Sequence, residues 1–474
     1  MTPIDSRPSR ISVAARLERL PPCRWHKTIL ALLISAFIFE FIDLYTFAFT
    51  APALIQHEGF TVGDIALVTS ATGVGTFLGA FGGGWVADRI GRRPTLLVLI
   101  VGYSLLSIVN SAVSTPESFV ALRFLTAIGF QGMNVVGVVL LVELMPASYR
   151  GRAQAWVIAC GGLGPAVLAW LAYALVPTFE WGWRVLYLIG GLGIVFVVFL
   201  ARRLPESPRW QEAAGKTAQT DETMTGIEQA VLRHVSELPP PTGEMPASSG
   251  GTGGLRELFR HGYGKRFVVV CVMWILGVVG YFGFNYWVST ILKLQGFSLQ
   301  TTAMFTAIIT TVGVAGPAIA VAVADRWHRK YLLAAVGVVQ GLLCLLFTTA
   351  GSTTAIVVFA CLLSLLFQLS VPLTLTYSPE VFPTRFRSIG SGWANSSSRI
   401  ANIFAPQVIA ALLLGFGISA VFYFVAAVMF AFALVMGIFG ERTTNVPLEK
   451  VNENRRASAD QAAKVLDPSR RERT

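Results

Sequence analysis

Charged residues are scarce in this chain. Only 13% of its 474 residues are Asp, Glu, Lys or Arg, about half the share that is usual in soluble globular proteins. Hydrophobic residues make up 54%, and 45 glycines come in addition to them. This composition excludes a disordered chain, a coiled coil and almost any single soluble enzyme. It predicts one body that crosses a membrane many times.

Cysteine and histidine are also few. None of the five cysteines belongs to a C-x-x-C pair, and four of the five lie in apolar segments, so neither a disulfide framework nor a zinc site is indicated. All five histidines lie outside the long apolar segments. The sequence contains no HExxH, GxSxG or GxxxxGK[ST] motif. We therefore expect no metal, no cofactor and no enzymatic activity.

Long apolar runs dominate the sequence instead. A run needs roughly 20 residues to cross the hydrocarbon layer, and it must be helical because lipid offers the backbone no hydrogen-bond partners. Twelve such runs are present: 27–52, 62–87, 94–113, 117–143, 152–176, 184–202, 267–290, 301–324, 331–350, 354–378, 389–414 and 418–440. They predict an all-α polytopic membrane protein with twelve transmembrane helices.

The spacing of these runs divides the chain into two groups of six. Five segments follow: a cytoplasmic N-terminal arm (1–26), a first six-helix bundle (27–203), a linker loop (204–264), a second six-helix bundle (265–440) and a cytoplasmic tail (441–474). The linker contains three consecutive prolines at 239–241 and a Ser/Gly-rich stretch at 248–254. This composition is typical of a flexible linker, with room for one surface helix before the prolines.

The net charge of +11 is distributed unevenly. The predicted extracytoplasmic loops hold only Arg184 and Lys293, and Arg123 and Arg399 lie inside apolar runs. All other Lys and Arg residues fall in the tails and the remaining loops, which places both termini and the linker in the cytoplasm. We expect a multi-pass protein of the cell inner membrane that contacts the lipid bilayer and no nucleic acid.

The two halves repeat each other at an offset of 237 residues. The recurring pairs are Asp88/Asp325, Arg89/Arg326, Arg92/Arg329, Arg93/Lys330, Gln131/Gln368, Glu143/Glu380, Pro146/Pro383 and Arg150/Arg387. Several polar positions share one register, so the halves are interpreted as parallel copies. Such repeats are typical of transporters that rock two bundles around a site near the middle of the membrane.

Three motifs carry a family resemblance. The stretch 84–93 (GWVADRIGRR) resembles the signature that the major facilitator superfamily has between its second and third helices. The stretches 123–129 (RFLTAIG) and 205–210 (PESPRW) are similar to its helix-4 motif and to the motif after helix 6 in sugar-porter-like branches. The resemblance spans about 25–440. It implies the major facilitator fold, alternating access and a monomer. In the second copy, Val321 and His328 replace the glycines of the signature.

We interpret the loop motifs as a cytoplasmic gate. Gly84 is expected to let the second helix approach a neighbour closely, and arginines are expected to pair with Glu143, Glu206 or helix C-termini. The alternative is that these arginines anchor loops at an anionic membrane surface. The predicted gate residues are Gly84, Asp88, Arg89, Gly91, Arg92, Arg93, Glu143, Arg150, Asp325, Arg326, Glu380 and Arg387.

Four ionisable residues lie inside the predicted helices: Glu40 and Asp43 in the first, Arg123 in the fourth and Arg399 in the eleventh. Such residues are costly in lipid and therefore indicate function. Asp43 beside Arg123 could alternate between ion-paired and protonated states, which proton coupling requires. The two helix-1 acids resemble those of the branch containing aromatic-acid:proton symporters, niacin-type and organic-ion transporters. The alternative is a structural salt bridge between the first and fourth helices.

Further polar residues within apolar runs indicate a substrate site. The eleventh run carries Asn395, Arg399 and Asn402 on one helical face, and a planar guanidinium suits a carboxylate. The predicted substrate-binding residues are Arg399, Asn402, Tyr281, Asn285, Gln131, Asn134 and Gln368.

Together these residues predict proton-coupled uptake of a small organic acid, an aromatic or hydroxylated carboxylate, by symport. Two alternatives remain: a sugar or polyol symporter that uses the amide side chains, and an organic-cation or drug antiporter. The antiporter alternative rests on Gly164-Pro165, which resembles the end of an antiporter motif. These residues, like Gly316-Pro317, could also mark simple helix kinks.

Overall fold

The computed structural model describes residues 12–240, 254–324, 326–383 and 385–443. Within these ranges all the regular secondary structure is helical. Twelve helical segments are long and apolar enough to cross a membrane. The prediction of an all-α protein with twelve transmembrane helices is confirmed.

Twenty helices make up the described chain, because three membrane spans are interrupted and several short helices lie between spans. The first eleven are α1 (Val13–Glu18), α2 (Arg24–His57), α3 (Val62–Ile90), α4 (Arg92–Asn110), α5 (Pro116–Leu144), α6 (Ala147–Gly161), α7 (Leu163–Leu175), α8 (Gly182–Gly191), α9 (Gly193–Arg203), α10 (Pro208–Ala213) and α11 (Thr217–Leu232). The others are α12 (Leu255–Arg260), α13 (Gly264–Asn285), α14 (Val288–Leu294), α15 (Leu299–Gly313), α16 (Ala315–Val323), α17 (Arg329–Thr348), α18 (Thr353–Glu380), α19 (Arg387–Phe416) and α20 (Ile418–Phe439).

The chain divides into two compact units. The described residues of the first unit are 12–240 and 292–307. Those of the second unit are 254–291 and 308–443, apart from 325 and 384. Each unit is described below by itself.

Neighbouring helices repeat from one unit to the other. In the first unit α2 packs on α6, α7 and α8, α3 packs on α5, and α4 packs on α5, α8 and α9. In the second unit α13 packs on α19 and α20, α16 packs on α18, and α17 packs on α18 and α20. These five pairs of spans in the first unit therefore recur in the second, as expected for parallel copies of one bundle.

Two of the interrupted spans break at the glycine-proline pairs. Gly161 ends α6 four residues before Pro165, and Gly313 ends α15 four residues before Pro317. A proline ring clashes with the carbonyl four residues earlier and donates no hydrogen bond, which weakens the helix at this point. Pro52, Pro372 and Pro406 lie inside uninterrupted helices, so a proline alone does not determine a break. The third interruption, between α8 and α9, has no proline and lies in a stretch that contains Gly190, Gly191 and Gly193.

The close approach of α3 to α5 depends on glycines other than the predicted one. A side chain at Gly75, Gly79 or Gly83 would collide with the backbone of α5. At Gly84 it would meet no described atom within 4 Å. Gly84 therefore takes no part in the packing of α3 on α5, and its expected role in a close approach to another helix stays a prediction. The reason is helical phase, since residues 75, 79 and 83 share one face and residue 84 lies about 100° further round the helix.

The arm and the linker contain more structure than predicted. Helices α10 and α11 precede the prolines and α12 follows the Ser/Gly-rich stretch, so the expectation of one surface helix was too low. The arm helix α1 packs on α10 and α11. Leu17, Met224 and Ile227 join the same apolar core as the membrane helices of the first unit. Residues 241–253, which include most of the Ser/Gly-rich stretch, lie outside the described chain.

Candidate functional site

Asp43 and Arg123 form an ion pair inside the first unit. The guanidinium Nη1 lies 2.9 Å from Asp43 Oδ2, and Nη2 donates to the Asp43 carbonyl at 3.1 Å. Both residues are fully buried. The apolar sequence of α2 and α5 places these two charges in a dry interior, where each needs a partner of opposite charge. The predicted pair is thus present in the structure.

A serine completes the surroundings of the Asp43 carboxylate. Ser107 Oγ of α4 donates to Asp43 Oδ1 at 2.6 Å and lies 3.0 Å from the carbonyl oxygen of Tyr187 in α8. The Tyr187 hydroxyl is in turn 3.2 Å from Thr50 Oγ1. Sequence reasoning missed these residues. The available signal was the pair of serines, 104 and 107, in an otherwise apolar segment.

Glu40 lies one helical turn before Asp43 and is almost completely buried. The amide of Asn134 in α5 donates to Glu40 Oε2 at 3.1 Å. Gln131, one turn earlier on α5, is also buried. Asn134 was predicted to contact substrate, and the structure gives it a contact with the second acid of α2. Asp43 thus has a guanidinium among its partners, and Glu40 has a neutral amide among its own.

The loop motifs converge at one end of the first unit, called here the arginine-rich end and defined by Arg92, Arg150 and Arg209. Arg92 pairs with Asp88 at 2.8 Å and with Glu143 at 3.3 Å. Glu206 accepts the backbone N–H groups of Arg92 and Arg93 at 3.0 and 3.1 Å, so a carboxylate caps the N-terminus of α4. The pair of Arg92 with Glu143 agrees with the expected contacts, whereas Glu206 accepts from the backbone and not from an arginine side chain.

Gly91 permits this arrangement at the turn between α3 and α4. Its φ is +113°, a conformation that favours glycine, and a side chain there would collide with the Glu206 carboxylate. The indole nitrogen of Trp210 donates to the Asp88 carbonyl at 2.9 Å. Arg89 stacks over Trp85 at 3.7 Å. The motif after the sixth span therefore packs directly on the signature motif.

The arm supplies a carboxylate that the sequence did not reveal. Glu18, the last residue of α1, pairs with Arg150 at 2.9 Å and with Arg209 at 3.0 Å. It also accepts the backbone N–H of Ala147, the first residue of α6, at 2.6 Å. Arg150 was expected to pair with Glu143, Glu206 or a helix C-terminus. It donates to the carbonyls of Val142 and Met145 at the end of α5.

The second unit repeats part of this arrangement. Arg329 pairs with Glu380, and Thr443 Oγ1 donates to Glu380 Oε2 at 2.8 Å. Arg326 is exposed, and Arg387 is half-buried at the start of α19. Asp325, predicted to belong to the gate, lies outside the described residues.

The predicted substrate residues of the second unit lie on three helices. Asn285 donates its amide to the Tyr281 carbonyl at 3.0 Å within α13. The Tyr281 ring packs edge-on against Phe367 of α18, at 6.4 Å between centroids. Gln368, the next residue, is half-buried and its side chain lies against α15 and α16. On α19, Arg399 and Asn402 are likewise half-buried.

Comparison with known proteins identifies the family. The family model described as Major Facilitator Superfamily matches residues 33–406 and 304–470. The chain belongs to the major facilitator superfamily. With its twelve candidate membrane spans it is a multi-pass membrane transporter that handles a small-molecule substrate.

Several relatives align over almost their whole length. The putative metabolite transport protein YyaJ of Bacillus subtilis is 31% identical over 91% of this chain and 96% of the relative. The niacin transporter NiaP of Acinetobacter baylyi is 28% identical over 93% and 100%. The gallate transporter of Pseudomonas putida is 26% identical over 92% and 95%.

Among solved structures, the xylose transporter XylE from E. coli, in a partially occluded inward open conformation, superposes with a TM-score of 0.68. Its sequence identity is 18%, and the alignment covers 87% of this chain and 98% of XylE. At this low sequence identity, the structural similarity shows only that the two chains share a fold.

Proposed function

We propose that this transporter couples inward movement of protons to uptake of a small organic acid, an aromatic or hydroxylated carboxylate, by alternating access. The observation that carries the proposal is the fully buried ion pair between Asp43 and Arg123. Asp43 is the proton-accepting group, Arg123 is its partner, and Glu40 is a second acid beside it.

The chemistry of a buried ion pair supports coupling. Removal of a carboxylate and a guanidinium from water costs several kcal/mol for each, and only their mutual attraction offsets this cost. Protonation of Asp43 cancels its charge, so the Arg123 guanidinium loses the counter-charge that lies 2.9 Å away. The two protonation states therefore favour different arrangements of α2 and α5. A substrate that binds one arrangement better is then driven by the proton gradient.

Two observations support a carboxylate substrate. Arg399 lies half-buried within a membrane-spanning helix, and its planar guanidinium can hold a carboxylate with two hydrogen bonds. The names of two relatives, a niacin transporter and a gallate transporter, refer to aromatic carboxylates. We assign substrate binding to Arg399, Asn402, Gln368, Tyr281 and Asn285 of the second unit and to Gln131 and Asn134 of the first.

The arginine-rich end is proposed as the cytoplasmic gate of the first bundle, with the pair Arg329 and Glu380 as its counterpart in the second. The excess of Lys and Arg in the loops supports cytoplasmic termini and a location in the cell inner membrane. The buried apolar core within each bundle supports a monomer.

Proton movement in proteoliposomes tests the proposal. A pH-sensitive dye inside the vesicles would report acidification when nicotinate, gallate or 4-hydroxybenzoate is added outside, with xylose and tetraethylammonium added in parallel. Acidification that depends on one carboxylate is expected. Acidification with xylose would favour sugar symport, alkalinisation with the cation would favour antiport, and saturable uptake without proton movement would refute coupling.

A further inference from the structure

Ser107 has one hydroxyl proton and two acceptors. Its Oγ lies 2.6 Å from Asp43 Oδ1 on α2 and 3.0 Å from the Tyr187 carbonyl oxygen on α8. Because a serine hydroxyl carries a single hydrogen, it can fully donate to only one of them at a time. Ser107 itself is fully buried, so water does not compete for this proton.

The Ser107 hydroxyl bonds to neighbouring helices, which is unusual for a helical hydroxyl of the first unit. Thr46, Thr50 and Thr126 each donate to the carbonyl four residues earlier in their own helix, at 2.7–2.9 Å, which is the common local bond for such side chains. Ser107 donates to other helices instead. Its orientation is therefore determined by its neighbours on α2 and α8.

The protonation state of Asp43 decides which acceptor Ser107 uses. An ionised carboxylate only accepts hydrogen bonds, so Ser107 must donate to it. A protonated carboxyl group gains a donor of its own and can donate to Ser107 Oγ. The serine hydrogen is then free to turn to the Tyr187 carbonyl. No proton leaves Ser107 in this exchange, and only the direction of its O–H bond changes.

The acceptor on α8 lies close to the interruption of the sixth span. Helix α8 ends at Gly191, four residues after Tyr187, and Leu192 N–H bonds to the Ile189 carbonyl, three residues back. A side chain at Gly190 would approach Ser107 Oγ to 2.9 Å and Asp43 Oδ1 to 3.2 Å. The absence of a side chain there lets α2, α4 and α8 meet at the hydroxyl.

We propose that Ser107 is a positioning residue whose hydroxyl transmits the protonation of Asp43 to the interrupted sixth span, donating to α2 when Asp43 is ionised and to α8 when it is protonated. The inference deepens the proposed proton coupling and, for transport, rests on it. The titratable groups around Asp43 in the described chain include Arg123 on α5, Tyr103 on α4, Tyr187 on α8 and Glu40 on its own helix.

Infrared difference spectroscopy between high and low pH tests the inference without a solute. The carboxylic C=O band that is absent in Asp43→Asn belongs to Asp43. In Ser107→Ala this band should move to higher frequency, because a hydrogen-bonding partner is lost. Ser104→Ala is the matched control, since Ser104 is fully buried on the same helix and the described hydrogen bonds to the Asp43 carboxylate come from Ser107 and Arg123. The Asp43 band should not move in this control.

A second measurement follows the other acceptor. Protein labelled with carbonyl-13C tyrosine should show a pH-dependent shift of the Tyr187 carbonyl band, assigned by its loss in Tyr187→Phe. This shift should vanish in Ser107→Ala and persist in Ser104→Ala. An unchanged Asp43 band in Ser107→Ala, or a Tyr187 carbonyl band that does not respond to pH, would overturn the inference.

Transport separates this inference from the proposed function. Proton flux in wild-type proteoliposomes tests coupling, whatever Ser107 does. If coupling holds, the pH of half-maximal uptake should move by about one unit in Ser107→Ala, as expected for the loss of one hydrogen bond to a charged group, and stay unchanged in Ser104→Ala. An unchanged pH profile in Ser107→Ala, with coupling intact, would refute the inference alone.

Discussion

Arg329 and Glu380 form an ion pair in the second unit, and these residues stand 237 positions after Arg92 and Glu143, which form the corresponding pair in the first. The residue types that recur at this offset in the sequence thus form the same contact in both units. In both units the pair joins the helix after the signature motif (α4 or α17) to the end of the next long helix (α5 or α18). The contact therefore belongs to the repeated bundle itself.

Glu380→Gln should weaken the second bundle. The amide cannot provide the charge that Arg329 needs, and the two side chains are only 12% and 22% exposed. We expect the melting temperature to fall by about 2–4 °C, which corresponds to roughly 1 kcal/mol. Glu257→Gln is the control, because its pair with Arg385 is 45% and 54% exposed and such surface pairs contribute little. Equal melting temperatures for both variants would contradict this prediction.

Asp43→Asn should uncouple transport. Asparagine keeps an oxygen for Arg123 and Ser107 but cannot take up a proton at physiological pH. We expect exchange of labelled solute across the membrane to continue, while accumulation driven by an imposed pH gradient is lost. Glu58→Gln is the control, since Glu58 also pairs with an arginine, Arg184, but follows directly after the end of α2. Gradient-driven accumulation in Asp43→Asn would exclude Asp43 as the coupling group.

Arg399→Gln should discriminate against anionic solutes. The loss of a charge-assisted contact with a carboxylate should raise KM by about 10- to 100-fold. Arg385→Gln, which removes an exposed arginine of the same unit, should leave KM unchanged. The KM of each variant would be measured with the carboxylate that produces proton flux. An unaltered KM in Arg399→Gln would remove Arg399 from the site.

Gly83→Val should disrupt the packing of α3 on α5, whereas Gly84→Val should be tolerated. A Cβ at residue 83 would lie 2.6 Å from Gly132 Cα, and one at residue 84 meets no described atom within 4 Å. Overpacking of this kind costs about 1–3 kcal/mol or more. Melting temperatures of the two purified variants would test this difference, and equal values would contradict the structural assignment.

The spans and the central ion pair could be predicted because each depends on a strong, local signal. A run of some twenty apolar residues can hardly be anything other than a membrane helix, and a charge inside such a run requires a partner. Asp43 and Arg123 were the candidates for that reason. The sequence also indicated kinks near Pro165 and Pro317, since a proline removes a helical hydrogen bond.

The remaining features depend on contacts that no local pattern reveals. Ser107 looks like the threonines that bond to their own helix, and only the approach of α2 and α8 turns its hydroxyl outward. Glu18 lies in a polar arm, and its partners Arg150 and Arg209 are far away along the chain. Gly84 was chosen from a motif, while the packing follows the phase of Gly75, Gly79 and Gly83 along the helix.

The attachment of the arm to α11 should depend on pH. Arg16 and Arg19 both pair with Glu228, at 2.8 and 2.6 Å. Burial opposes ionisation of Glu228, but the hydrogen bonds and charges of the two arginines outweigh it and lower its pKa below the usual 4.5. The hydrogen bond to Glu228 also raises the pKa of Arg16, so the arginine stays charged throughout.

Because the folded-state pKa of Glu228 lies below its unfolded value, Glu228 stabilises the attached arm to its full extent above the unfolded pKa of 4.5. This contribution is lost as the pH falls through the folded pKa. Hydrogen exchange of residues 13–19, corrected for intrinsic rates, should therefore accelerate below about pH 4.5. Glu228→Gln should show faster exchange above this pH as well and little further change below it. Glu222→Gln, an exposed acid of α11, should behave as wild type. If Glu228→Gln keeps the acid-induced acceleration, another group must release the arm, because glutamine does not titrate.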